Sequence, residues 1–423
     1  MLRLNRWIKE SPPITDALRC CFVIDQESRF SLAHSMHKNT SHLLVTYQIE
    51  ASCETVQKIQ EIQEIAEDIC IEQTVEVIRQ LAQDSWIQEN ILGKVEEIRP
   101  LSVDPSSIKK MGKGNIYEVI ISYPDQIIDY QLPQLLSVIY GNISLKSGIR
   151  VVGIEFSNDF LSHFSGPGFG VAGIRQLLAV ENRPLLATAL KPMGKTSEEL
   201  AGLAYKLALG GIDIIKDDHG LVDHSFCPFK ERVKSCLSAI RKAEEKTGKR
   251  VLYFPNITDS YEKIWEHARW AKDLGVGGFL VSPLIVGLDT MRYLADNLGL
   301  PIMAHPALMG TLFSGISTEI VLGDLMRLAG ADMVVYPNYG GRFPFTEEIC
   351  QKIGHALKKE MGKLKTAFPV PAGGIDIKSI RTLKQFYGND AVFLIGSSLY
   401  VCSNNLTASV KDCIHAMLDD TLK

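Results

Sequence analysis

The stretch Gly210-Gly211-Ile212-Asp213-Ile214-Ile215-Lys216-Asp217-Asp218-His219-Gly220 carries the densest chemistry in the chain. An apolar, β-branched run ends without a spacer in a lysine, two aspartates and a histidine. That is the pattern of a buried strand whose C-terminal end surfaces in a polar cleft. Two readings are open. One is a strand end followed by a solvated turn, with Asp218 capping the next helix. The other is a hard-metal site. A neutral lysine amine adds carbon dioxide, becomes an anionic oxygen ligand, and together with flanking carboxylates suits Mg2+, which takes oxygen ligands in octahedral geometry.

The elements that must hold such a cluster recur regularly from Ser165-Gly166-Pro167-Gly168 onward. Strand-like apolar runs fall at 184–191, 212–216, 250–257, 277–282, 301–304, 332–336, 366–371 and 391–395. Amphipathic helical runs separate them, among them 197–209, 229–247, 261–274 and 316–328. Eight apolar strands, each followed by a helix, predict a (β/α)8 TIM barrel, in which reactive groups gather where the strands end. Polar residues do follow the runs: Lys191 the first, Lys216 to His219 the second, Asn256 the third, His305 the fifth, Asn338 and Arg342 the sixth. Gly373-Gly374 follows the seventh and Gly396-Ser397-Ser398 the eighth. Barrels hold phosphate there through backbone N–H groups: glycine lets the backbone approach the anion, and a following helix N-terminus adds a favourable dipole.

Ahead of the barrel, strand patterns at 42–49, 93–98 and 116–122 alternate with helical patterns at 52–70 and 134–140, which predicts a smaller α+β domain. The expected organisation is an N-terminal extension without assigned function (1–40), an α+β N-terminal domain (41–160) and the barrel (161–423). With 46% apolar and 22% charged residues the chain is an ordinary globular protein. Forty-five basic against 49 acidic residues, a net charge of −4, point to neither nucleic acid nor an anionic membrane as partner. No apolar run approaches the roughly 20 residues that span a bilayer, and the basic segment 1–11 lacks the apolar centre of a signal peptide. Nine scattered cysteines without a CxxC pair favour a reducing, cytoplasmic setting over disulfides or zinc.

At Gly166-Pro167-Gly168, Arg183-Pro184-Leu185-Leu186, Leu190-Lys191-Pro192, the run from Gly210 to Asp218, Ala304-His305 and Ala372-Gly373-Gly374-Ile375, with Glu72 and Gly141-Asn142, the sequence resembles the RuBisCO superfamily. The resemblance covers roughly residues 42 to 415. It implies an α+β (ferredoxin-like) domain before a TIM barrel, assembled as a homodimer with active sites at the interface. Lys216 would be the carbamylated ligand of Mg2+, Asp218 a second ligand, and Lys191 the base that removes a proton next to a ketone. Glu72 and Asn142 would reach in from the partner subunit. Gly373, Gly374, Gly396 and Ser397 would hold a phosphate, with Asn256 and Arg342 as further substrate contacts. His305 is expected to position a hydroxyl or transfer protons.

The departures narrow the expectation. Met193 stands where a carboxylase has a second lysine, His219 where it has the third carboxylate ligand, and Pro306 where an arginine grips a second phosphate. The lysine loop after the sixth strand is replaced by Asn338-Tyr339-Gly340-Gly341-Arg342, and Glu76-Val77 replaces the Thr-Trp pair expected after Glu72. His219 is left as metal ligand, hydrogen-bond donor or acid. What survives suits enolisation, with an enediolate held on Mg2+, and not carboxylation of a bisphosphate. The chain looks similar to the RuBisCO-like isomerases of 5-methylthioribulose 1-phosphate. It also resembles the RuBisCO-like decarboxylases of 3-oxo sugar acids. A third expectation is a non-catalytic, regulatory protein on the same scaffold.

Overall fold

The structure, a computed structural model, describes residues 41–51, 58–101, 115–401 and 405–418. The extension read at 1–40 lies outside the described residues. The described chain forms two compact units, one of residues 41–127 with 138–155, the other of residues 128–137 with 156–418.

The first unit is an antiparallel sheet of β1 (His42–Ala51), β2 (Lys94–Leu101), β3 (Asn115–Pro124) and β4 (Ile149–Glu155), in the order β2-β3-β1-β4. Every second residue of β1 (Leu43, Val45, Tyr47, Ile49) is buried, the period of two expected when one face packs on a helix. That helix, Lys58–Thr74, buries Ile62, Ala66 and Ile69. Inside, Tyr47 Oη donates to the carbonyl of Ile139 at 2.8 Å and accepts from Tyr123 Oη at 3.0 Å, so both buried phenols are satisfied. Strand β4 went unpredicted. It contains Gly153, where a β-bulge between Thr46 and Tyr47 brings the neighbouring strand so close that a Cβ would lie 3.1 Å from the Thr46 side chain.

In the second unit eight parallel strands follow: β5 (Leu185–Leu190), β6 (Ile214–Asp217), β7 (Leu252–Phe254), β8 (Phe279–Val281), β9 (Ile302–Ala304), β10 (Met333–Pro337), β11 (Phe368–Ala372) and β12 (Val392–Leu394). Their order is β7-β6-β5-β12-β11-β10-β9-β8, and a parallel bridge from Asn256 to Leu280 joins β7 to β8 and closes the ring. This is the TIM barrel read from the alternating pattern, with a small α+β unit before it. Leu185, Ala187, Ile214, Phe254, Met303, Val335, Val370 and Val392 fill the interior. Ile174 and Leu178, from the helix Gly170–Leu178, pack into the end where the strands begin. Buried ion pairing at that end is structural. Asp213 accepts two bonds at 2.7 Å from Arg183 and one from Leu186 N–H, which locks the starts of β5 and β6 together. The helix expected over 316–328 is wound as a π-helical turn over Ile320–Asp324 before Leu325–Leu328, where Gly323 packs closely against Ala356. Among the described residues no helix is long and apolar enough to cross a membrane.

Candidate active site

The candidate site grows from the register of two neighbouring strands. Ala189 pairs with Lys216 and Leu190 with Asp217, so the residues leaving β5 and β6 emerge side by side. Alternation along β6 then sorts its charges. Ile214 faces the barrel interior, and Lys216, two residues on, shares that side. Asp217 faces outward to the helix Phe229–Thr247, where Arg232 Nε donates to it at 3.1 Å. Asp217 also accepts from Tyr253 Oη at 2.8 Å and from the backbone of Asn256 at 3.0 Å. Arg232 is fully buried and donates further to the carbonyls of Val222 and Cys227, which pins the loop after β6. Its signal in the sequence was a lone arginine in the apolar stripe Phe229, Val233, Cys236, Leu237, Ile240.

Lys216 is only 2% exposed. Its Nζ donates to the carbonyl of Asp217 at 3.0 Å. Burial lowers its pKa to about 8, against the opposing pull of Asp218 and with the help of Lys191. Asp218 lies beside it: Oδ2 is 2.7 Å from Lys191 Nζ and Oδ1 accepts from Gly220 N–H at 3.1 Å. Burial would raise this carboxyl, but the bonds from Lys191 and Gly220 hold it below the ordinary carboxylate value. His219 Nδ1 is 3.4 Å from Asp218 Oδ1, and burial lowers its imidazole pKa although Asp218 pulls the other way. His305, just past β9, stacks on His219 with centroids 4.3 Å apart and an interplanar angle of 8°. Burial, with Lys216 and His219 adding to it, pushes His305 down to about 2, so the ring is neutral. Ala307 N–H donates to its Nδ1 at 3.2 Å, which leaves the proton on Nε2.

Lys191, Lys216, Asp218, His219 and His305 are thus gathered at one end of the barrel. Asn256 lies behind them, nearly fully buried; its Nδ2 donates to the carbonyl of His219 at 2.8 Å and its Oδ1 accepts from Thr258 N–H, which makes it a clamp on the loop. Arg342 is exposed, its guanidinium over the Phe343 ring. Met193 is exposed, its sulfur beside Gly220. Gly373 and Gly374 both have φ near +80°, a conformation that favours glycine. A Cβ on Gly374 would meet Gly341 at 2.7 Å, so the turns after β10 and β11 pack backbone to backbone. Around Gly396 a Cβ would meet nothing within 4 Å, and Ser398 Oγ ties this loop to the Ile375 carbonyl. In the first unit Asn142 Nδ2 donates to Glu72 at 3.0 Å and to Glu76 at 3.1 Å, so the two residues expected to act together are already paired with one another.

A divalent cation fits this cluster only on one condition. Among the described residues no three His, Cys, Asp or Glu side chains could hold a metal. Asp218 and His219 need a third donor, and the buried Lys216 amine beside them supplies an oxygen only as a carbamate.

The catalytic-domain model described as ribulose bisphosphate carboxylase large chain matches residues 170–402. A ribulose bisphosphate carboxylase-like protein of Rhodopseudomonas palustris is 36% identical over 87% of this chain and 95% of its own. A 5-methylthioribulose-1-phosphate isomerase of Rhodospirillum rubrum is 34% identical over 87% of this chain and 94% of its own. A crystal structure of a Rubisco-like protein from Rhodopseudomonas palustris superposes with a TM-score of 0.79 at 34% identity, covering 91% of this chain and all of that one. The chain belongs to the ribulose bisphosphate carboxylase large-chain family, within its RuBisCO-like branch.

Proposed function

We propose that the protein is a Mg2+-dependent isomerase that acts through an enediolate on a phosphorylated keto-sugar such as 5-methylthioribulose 1-phosphate, in salvage of the methylthio group. The observation that carries this reading is the contact of Lys191 Nζ with Asp218 at 2.7 Å beside the buried Lys216. It pairs a candidate base with a candidate metal ligand at adjacent strand ends. The name of the Rhodospirillum rubrum relative supports the substrate. Met193 and Pro306, in place of basic residues, argue against a bisphosphate and therefore against carboxylation.

Lys216 as carbamate, Asp218 and His219 would hold the cation. When bound, it supplies Lewis acidity to the oxygens of the ketone and its neighbouring hydroxyl. Lys191, once unprotonated, takes the proton from the carbon next to the ketone and returns it to the former carbonyl carbon, while the hydroxyl proton passes from its own oxygen to the former carbonyl oxygen; the two carbons thereby exchange roles as carbonyl and carbinol. His305, neutral with Nε2–H free, donates a hydrogen bond to a substrate oxygen without needing to change charge. The loops at Gly373-Gly374 and Gly396-Ser397 would hold the phosphate by backbone N–H groups and fix the reacting carbons against Lys191. Glu72 and Asn142 would complete the site from a second copy of the chain. Buried free thiols at Cys70, Cys227, Cys236, Cys350 and Cys413 support a reducing, cytoplasmic setting.

The test is incubation with Mg2+, bicarbonate and 5-methylthioribulose 1-phosphate in D2O, followed by proton NMR beside Lys216→Ala. Deuterium at the enolised carbon and new pentulose phosphates, both lost in the variant, are expected. An unchanged spectrum with wild-type protein sinks the isomerase and turns attention to carbon dioxide release from 3-oxo sugar acids.

A further inference from the structure

The loop after β12 is bonded to three successive residues of β5. Ile395 N–H donates to the Ala187 carbonyl at 3.0 Å, Thr188 Oγ1 donates to the Ile395 carbonyl at 2.6 Å, and Tyr400 Oη donates to the Ala189 carbonyl at 2.8 Å. The first continues the strand pairing, and the second is a side-chain hydroxyl of β5 itself. The third is a side chain reaching back from the short helix Ser397–Val401 to a carbonyl two residues before Lys191. A phenol in a barrel wall needs a hydrogen-bond partner, but this one is the strand that ends in the candidate base. Burial holds the Tyr400 hydroxyl well above the ordinary phenol value; the Lys191 backbone and the Thr188 hydroxyl work the other way, and the charge of Asp218 adds to the rise. The hydroxyl therefore keeps its proton and stays a donor at working pH. It lies between the backbones of Ala189 and Lys191. From the other end of the same helix, Ser398 Oγ bonds to the Ile375 carbonyl in the loop after β11.

We infer that Tyr400 is a positioning residue that couples the two glycine loops after β11 and β12 to Lys191, so that an anion seated in those loops sets the base against the reacting carbon. The inference rests on the reading of Lys191 as base and of the loops as the phosphate site. Tyr400 touches no substrate in this account. Its hydroxyl transmits the position of the helix Ser397–Val401 to the end of β5.

The test compares Tyr400→Phe with wild type in two arms. The first measures kcat and KM for deuterium exchange into 5-methylthioribulose 1-phosphate. The second measures exchange into phosphate-free 5-methylthioribulose with and without inorganic phosphite. Melting temperature and the 13C signal of the Lys216 carbamate are recorded for both proteins. We expect kcat to fall roughly ten- to hundred-fold, as small misplacements of a reacting group do, with KM, melting temperature and carbamate signal little changed. Phosphite should accelerate exchange in wild type and not in the variant. A tyrosine that only fills the wall would lower the melting temperature and the carbamate signal while kcat per carbamylated site stayed intact; that result, or equal phosphite response in both proteins, overturns the inference. Absence of exchange in wild type brings down the enolising function and the inference with it, whereas exchange that Tyr400→Phe leaves untouched brings down the inference alone.

Discussion

Lys216 carries an amine into a place that tolerates an ammonium poorly. Its pKa, lowered to about 8 chiefly by burial, means that the folded chain sheds this proton in a window where an unfolded lysine, at 10.5, still holds it. The unfolded state then binds more protons between those values, so stability rises with pH across the window, and the cost of the charged form is fully present below about 8. Lys216→Met keeps the volume and removes the charge. In buffer freed of carbon dioxide at pH 6.5 we expect it to be more stable than wild type by about 1–3 kcal/mol in urea melts, a gain that shrinks as pH climbs toward 10.5, while exchange activity vanishes. A Met variant less stable than wild type at pH 6.5 contradicts the account. The same titration sets activation. Carbon dioxide adds to the neutral amine, so the rate of carbamate formation, followed by 13C NMR, should climb from pH 7 and level off above about 8. Residues of this kind were legible in the sequence because an apolar run broke abruptly into charge. Arg232 and Tyr400 were not, since an arginine inside an amphipathic helix and a tyrosine after a glycine loop carry no mark of the strand they touch.

The elements that hold these residues are joined by one buried ion pair. Asp217 and Arg232 are both completely buried, and between them they connect β6, the backbone at Asn256, Tyr253 of β7 and the carbonyls of Val222 and Cys227. Removing one partner strands the other charge. Arg232→Met should cost about 3–5 kcal/mol in chemical denaturation, Asp217→Leu a similar amount, and the double replacement much less than their sum. Additive losses in that double-mutant cycle would mean the pair acts only through its separate contacts. The elements themselves were readable where period and burial agree: the eight barrel strands, buried on both faces, stood out as short apolar runs, the sixth equal in length to its strand and the other seven one to five residues longer. What escaped were the places where tertiary approach overrides local pattern. Gly153 disguises β4 because a bulge presses Thr46 against it, and Gly323 sits in the π-helical turn where the backbone closes on Ala356.

At the scale of the whole molecule, surface that a single copy leaves bare asks for a cover. Ile78, Leu81 and Trp86, exposed at 65%, 66% and 61%, follow the helix that carries Glu72. Met193, Phe226, Leu308 and Phe343 are exposed on the loops after β5, β6, β9 and β10, the end of the barrel where Lys191 and Asp218 lie. Apolar groups gathered in this way on a protein of net charge −4 favour burial against another chain. In the proposed homodimer each barrel is completed by the first unit of its partner, an isologous contact made twice. Mixing tests this directly, because the two defects can be placed on different chains. Glu72→Ala disables the contribution to the partner's site and Lys216→Ala disables the chain's own, so each variant alone should be inactive. After unfolding and refolding together in equal amounts, half of the dimers pair one chain of each kind, and in those one of the two sites has both intact parts. Exchange activity should then return to about a quarter of wild type, with the mass of a dimer by light scattering. Trp86→Glu with Leu81→Glu should break the dimer and abolish that recovery together. If the mixture stays silent while each variant still forms dimers, Glu72 acts within its own chain or not at all, and the shared site is withdrawn.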